Sequence, residues 1–411
     1  MYTLEDICAL VYIREVRAIL RGRFVADSLR GVSANAGIVV DDGVIADVGG
    51  FDDLVRDAGT STVRTYDGIL CPALINAHTH LELSALHRDR FHHTDFVDWV
   101  IKLVDTRASM SSEDMRPDCV HAKQEAEENG TGYFLNVGND FELNNSLGDN
   151  QLFAFEQIGI NDSSAEKIFN RSSGLALRKE GTSTALAVHA PYSVSPRLMK
   201  AIKSFNNRRG SMTSVHLAET EDEVEFVKSG TGRMMDLLNY RVGKWEFKPS
   251  GVSPVKYLDS LGILDQKTLC VHCVCVDEED VNIIKDRGSA VAVCVRSNLE
   301  LSGKVPPVGT FLRQGVKILI GTDSRASSPD LNMFAELGAF YSRFHDIMDP
   351  RPVFAAATSD AAETIGIGNC YGNIDRGRKA SIVYVPFEGK REDVFEYLVS
   401  SPDATKVTVE A

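Results

Sequence analysis

Ile69-Leu70-Cys71-Pro72-Ala73-Leu74-Ile75-Asn76-Ala77-His78-Thr79-His80 is an apolar run that ends on two histidines. A short run that is apolar on both faces reads as a strand buried on both sides. Side chains two apart in a strand share a face, so His78 and His80 point together. Seven further runs of this kind follow: Tyr133–Val137, Leu152–Gln157, Ala185–His189, Met212–Leu217, Thr268–Cys273, Ala290–Cys294 and Val316–Gly321. Helix-like stretches separate them, at 95–107, 112–129, 163–178, 195–206, 219–229, 277–287, 306–314 and 330–345. One opens with Asp277-Glu278-Glu279-Asp280, the acidic start that a helix N-terminus favours. Buried strands alternating with helices make a parallel sheet. Eight such units over about 300 residues fit a closed (β/α)8 TIM barrel better than an open sheet.

The flanks read differently. Ala36–Val40 and Val44–Val48 are apolar runs joined through Asp41-Asp42-Gly43, a hairpin signal. Ser381-Ile382-Val383-Tyr384-Val385 resumes that strand style. The expected organisation is α/β: a barrel over 67–372 and a small, discontinuous β-sandwich from 1–66 and 373–411. The 411 residues are 43% hydrophobic and 25% charged, an ordinary globular balance that excludes disordered and collagen-like classes. A net charge of −14 argues against nucleic acid and against docking on anionic lipid. No apolar stretch approaches a membrane span, and Glu5 and Asp6 replace the basic start of a secretory signal. Eight cysteines are too few for a disulfide scaffold, so free thiols in the cytoplasm are expected. The expected partners are a small-molecule substrate and water, with no nucleic acid and no membrane; a homo-oligomer is left open.

His78 and His80 side by side at a strand end are half of a metal site. His216 follows Met212–Val215, His272 lies in Leu269-Cys270-Val271-His272-Cys273, and Asp323 follows Lys317–Thr322. Each is a ligand-type residue at the C-terminal end of a separate strand. In a parallel barrel those ends open on one face, where sites are built. Any one of them alone reads as well as a core histidine or a capping aspartate; their common register does not.

These blocks, with His216-Leu217-Ala218-Glu219-Thr220, Arg296-Ser297-Asn298 and Gly321-Thr322-Asp323, resemble the amidohydrolase superfamily over most of the chain. The likeness is to the mononuclear deaminases and chlorohydrolases, and it implies the barrel and small β-domain already read from the pattern. It also implies one divalent metal held by His78, His80, His216 and Asp323, with zinc expected and iron or manganese as alternatives. Three nitrogens and one carboxylate leave a position for water. The resemblance gives catalytic roles to Asp323 and His272, which take the water's proton and orient its oxygen, and to Glu219, which protonates a ring nitrogen. Substrate contacts are expected from Glu82, His189 and Arg296, each with a plainer reading as a loop acid, a core histidine or an ion pair. The implied reaction is hydrolytic deamination of an amino-substituted heteroaromatic base or adenosine-like nucleoside. Aminodeoxyfutalosine, S-adenosylhomocysteine and methylthioadenosine stand ahead of guanine or cytosine, and chloride release from an s-triazine is the alternative.

His80-Leu81-Glu82-Leu83-Ser84 and Asp95-Phe96-Val97-Asp98-Trp99 resemble the aminodeoxyfutalosine branch most. Val293-Cys294-Val295 departs from the family's common His-Cys-Pro, which leaves in doubt any contact that histidine would make. No lysine reads as a carbamate bridge for a second metal. A cytidine deaminase-type site would need a proline before Cys270, which is missing. A structural zinc knuckle is disfavoured, because Cys270 and Cys273 would face opposite sides of a strand. A barrel that only binds would have lost a ligand, and every expected ligand is present.

Overall fold

The computed structural model describes residues 17–58, 62–88, 93–178 and 184–400. Glu5, Asp6 and Cys8 lie outside the described residues, as does the end of the 373–411 segment. The strands are β1 (Ala18–Asp27), β2 (Gly31–Asp41), β3 (Val44–Gly50), β4 (Thr62–Pro72), β5 (Leu74–Thr79), β6 (Thr131–Gly138) and β7 (Gln151–Gln157). They continue with β8 (Thr184–Val188), β9 (Thr213–Leu217), β10 (Thr268–His272), β11 (Ala290–Val293), β12 (Ile318–Ile320) and β13 (Ile382–Pro386). Contacts divide the chain into two compact units, Met1–Asn76 with Gln124–Tyr133 and Asn332–Ala411, and Ala77–Lys123 with Phe134–Leu331. The terminal sheet lies in the first; every site residue discussed below lies in the second.

The terminal strands form one mixed sheet in the order β13-β4-β1-β2-β3. The expected hairpin is there: Asp41 pairs with Val44, and Asp42 (φ 46°) and Gly43 (φ 73°) turn left-handed between them. One face packs Leu20, Ile38, Val40, Ile45 and Leu70. On the other, Ile19 and Val39 pack with Leu54 and Phe51 of the helix Phe51–Ala58. Among the described residues the small domain is therefore a single sheet with a helix against it, where a sandwich of two sheets was expected.

The eight strands β5 to β12 form the second sheet in chain order. Parallel ladders join β6–β7, β7–β8, β9–β10, β10–β11 and β11–β12. A parallel bridge between Thr79 and Asp323 joins its first strand to the segment after its last, and the Asp323 N–H donates to the His78 carbonyl at 3.0 Å. The sheet thus closes into the α/β barrel. The opening run corrects the reading of one strand. Pro72 cannot donate to a ladder. The chain changes sheets there: the Ala73 N–H goes to Ser381 and the Leu74 N–H to Gly130. Ile69–Pro72 ends β4, and Leu74–Thr79 opens the barrel.

Gly321, just past β12, lies against the main chain of His78. A Cβ there would meet the His78 N at 2.7 Å and O at 2.8 Å. Gly321→Ala is expected to cost about 1–3 kcal/mol, the range for forcing atoms into a packed core. It should also lower bound metal per chain, because the strain falls on His78; a melting scan and metal analysis check both. No helix of the described residues is long and apolar enough to cross a membrane. The seven described cysteines are all free.

Candidate active site

Strand ends place the polar side chains. His78 is the last residue but one of β5 and His80 follows the strand, His216 lies near the end of β9, and His272 ends β10. Asp323 comes three residues after Ile320, the last residue of β12. Four residues at these ends take left-handed backbone: Ala218 (φ 49°), His272 (φ 73°), Cys273 (φ 49°) and Asp323 (φ 59°). Each such residue stores strain of about 1–2 kcal/mol, which surrounding structure must hold in place.

The side chains converge. His80 Nε2 stands 3.3 Å from His216 Nε2. Asp323 Oδ1 is 3.6 Å from both His78 Nε2 and His80 Nε2. Ring atoms of His78, His216 and His272 also lie within 4.8 Å of one another. All are buried, and burial disfavours the charged form of an imidazole. Burial and the neighbouring His78 push His80 down to about 3, and burial takes His272 down to about 4. Burial alone would raise the Asp323 carboxyl, but His78, His80 and His272 hold it well below its ordinary value. Buried ring nitrogens of His78, His80 and His216 gathered about one carboxylate oxygen are a donor set that suits one divalent cation.

Outer contacts fix these groups. The His216 Nδ1–H donates to the His189 carbonyl at 2.8 Å, which leaves Nε2 toward the cluster. Ser297 and Ser327 donate to Asp323 Oδ2 at 2.6 and 2.8 Å, so Oδ1 is the oxygen left toward the histidines. Asn298 Nδ2 donates to His272 Nδ1 at 2.9 Å, which puts the ring proton on Nε2. That nitrogen is 3.6 Å from Glu219 Oε1. Burial, then the charges of Asp323 and Glu223, raise the Glu219 carboxyl well above its ordinary value. Burial thus favours the protonated form of Glu219 over what an exposed carboxyl would show. The reading that placed Glu219 in the following helix needs correcting: that helix is Glu221–Ser229 with Thr220 as its cap, and Glu219 precedes both.

The three expected substrate contacts fare differently. His189 is within the cluster's reach, its ring 5.3 Å from that of His216, with Nδ1 2.6 Å from the Ser193 hydroxyl. Glu82 is buried, and its Oε2 accepts from the Asn139 N–H, the Asp140 N–H and Asn144 Nδ2 at 2.9, 2.8 and 2.5 Å. That oxygen braces the loop after β6, a use the sequence did not show. Arg296 Nη2 donates to the Asp330 carboxylate at 2.6 Å and to its carbonyl at 2.7 Å.

Other groups were not foreseen. Glu156, near the end of β7, sits with Oε1 3.6 Å from His216 Nδ1, and burial raises its carboxyl to about 8. An acid inside an apolar strand was the signal for it. Cys273 corrects another expectation. The strand stops at His272, and the left-handed turn brings the Cys273 thiol into hydrogen bonding with Cys270.

Residues 69–409 match the model of the amidohydrolase family. The chain belongs to the amidohydrolase family. This amidohydrolase is 26% identical to a 5-methylthioadenosine/S-adenosylhomocysteine deaminase of Aquifex aeolicus over 374 residues, 85% of this chain and 79% of that one. Among solved structures it resembles the aminofutalosine deaminase of Helicobacter pylori in complex with methylthio-coformycin. That match has TM-score 0.84 at 23% identity and covers 95% of this chain and 97% of that one. It also resembles a zinc-complexed atrazine chlorohydrolase of Arthrobacter aurescens, with TM-score 0.77 at 18% identity, covering 95% and 92%. The amidohydrolase barrel thus carries a set of buried histidines, an aspartate and a buried glutamate at or just past its strand ends.

Proposed function

We propose that this amidohydrolase removes the exocyclic amino group from the base of an adenosine-like nucleoside, replacing it with oxygen and releasing ammonia. The observation that carries the reading is the placement of Glu219: a buried acid beside the His/Asp cluster, its Oε1 3.6 Å from His272 Nε2, whose carboxyl burial raises well above its ordinary value. Leaving ammonia needs a proton and leaving chloride does not, so this acid favours deamination over dehalogenation. Methylthioadenosine, S-adenosylhomocysteine and aminodeoxyfutalosine are the favoured substrates, in keeping with the deaminases that the chain resembles.

His78, His80, His216 and Asp323 would hold one divalent metal, for which zinc is our choice. Bound there, the ion lowers the pKa of water toward neutrality and supplies hydroxide. Asp323 Oδ1 takes the first proton of the attacking water. His272 donates its Nε2–H to the incoming oxygen and fixes its approach. Glu219 gives its proton to the ring nitrogen, so the adjacent carbon accepts the new carbon–oxygen bond. Asp323 then passes its proton to the amino group, the carbon–nitrogen bond breaks, and the oxygen's remaining proton returns to Glu219. Ammonia and the oxo base leave, and both acids are as they began. His189 and Glu82 would face the nucleoside through the atoms that their own contacts leave over. We assign this chemistry to 67–372, leave 1–66 and 373–411 as a separate discontinuous domain, and place the protein in the cytoplasm.

Asn298 holds the ring proton of His272 on Nε2, so Asn298→Ala should slow kcat about 10–100-fold, the usual effect of losing such an outer partner. Steady-state kinetics at an unchanged metal ratio check this. The overall reading is tested by measuring ammonia and chloride release across adenine nucleosides, guanine, cytosine, aminotriazines and chlorotriazines. Ammonia from an adenine nucleoside supports it; chloride alone supports the dehalogenating alternative.

A further inference from the structure

The turn that carries Glu219 is held from two sides. Glu223 is fully buried, and its two oxygens accept from two successive main-chain amides: Oε1 from the Ala218 N–H at 2.8 Å and Oε2 from the Glu219 N–H at 3.0 Å. From β10's side, the Cys275 N–H donates to the Ala218 carbonyl at 2.7 Å. Ala218 itself is left-handed at φ 49°, a conformation that alanine does not keep unaided. The helix start resembles a capping box, with Thr220 Oγ1 accepting from the Glu223 N–H at 3.3 Å. In the usual box the third-position carboxylate returns to the cap's own N–H. Here it reaches past the cap to the two residues before it.

We propose that Glu223 is the positioning residue for Glu219: by holding the amides of Ala218 and Glu219 it aims the Glu219 carboxyl at the reacting ring nitrogen. This rests on the general-acid reading of Glu219. A carboxylate suits the task because it offers two acceptors at the spacing of two adjacent N–H groups. A glutamine has a single acceptor and must leave one amide unmatched. Burial raises the Glu223 carboxyl to about 7, and in its charged form it also raises the Glu219 carboxyl. The oxygens of Glu223 are taken up by main-chain amides, so it acts through its neighbour.

The test is a double-mutant cycle in the metal-loaded protein with Glu223→Gln, Glu219→Gln and both together. Glu223→Gln alone should keep the wild-type metal ratio and KM, and lower kcat about 10–100-fold, as losing an orienting partner does. The alkaline limb of its pH profile should move to lower pH, because Glu219 then loses its proton more readily. In the Glu219→Gln background the second change should add little. Should the Gln variant fail to fold, Glu223→Asp, which keeps the charge but shortens the reach, serves in the same cycle. An unchanged kcat, or an equal loss in both backgrounds, overturns the positioning role. Full activity of Glu219→Gln on its own would instead overturn the general-acid reading beneath it.

Discussion

Asp323→Asn is expected to abolish measurable turnover while the barrel stays folded. The substitution changes almost no volume, and Ser297 and Ser327 can still hydrogen bond an amide where they now donate to Oδ2. What disappears is the charge. Oδ1, 3.6 Å from His78 and His80, is the oxygen that takes the water's proton in the proposed mechanism, and an amide oxygen is far too weak a base for it. Loss of a general base costs about 10²–10⁴-fold. Loss of an anionic metal ligand adds to that, so the rate should fall to background. The ammonia-release rate, read beside a melting curve and the metal ratio, checks it. Retention of even a tenth of wild-type kcat would remove Asp323 from the chemistry.

Glu219→Gln should separate the acid from the metal. Glu219 is not among the clustered ligand groups, so the variant should bind metal as wild type does. Its kcat should fall about 10²–10⁴-fold, the span of general acid catalysis. The pH profile has a definite sign. Burial, Asp323 and Glu223 raise the Glu219 carboxyl, so wild-type activity falls at alkaline pH as that proton is lost. The residual activity of the variant should lack this limb. Stability moves in the same direction. A raised carboxyl binds more protons folded than unfolded, so its contribution to stability declines as pH rises from the unfolded toward the folded value. Removing it should make the variant more resistant to alkali, which thermal melting at two pH values would show.

The barrel was legible because eight runs are apolar on both faces and each is followed by a helix-like stretch. The cluster was legible for a related reason. Ligand-type side chains stand at one register position, the end of a run, and a closed parallel sheet turns that register into proximity. Where the chain leaves its strands, legibility stops. Nothing in the unbroken apolar run from Ile69 to Ile75 shows that it serves two sheets; Pro72 is the only mark. Glu219 looked like the first acid of a helix because Glu221, Asp222 and Glu223 follow it. Thr220 separates it from them: it is extended and caps the helix, so Glu219 belongs to the turn before it. The same turn explains why Glu223 was unseen: its partners are main-chain amides, which no side-chain pattern encodes. Arg296 met Asp330 from 34 positions away, a pairing set by two loops rather than by periodicity.

The account stands or falls on one metal ion per chain driving ammonia release. The direct measurement is a titration of metal-stripped protein with zinc, following ammonia production from methylthioadenosine. If another adenine nucleoside proves to be the substrate, it takes that place. The rate should be near zero without metal, rise in proportion to zinc and level off at one ion per chain. Full ammonia release by the stripped protein, or a rate that keeps climbing to two ions per chain, would contradict it.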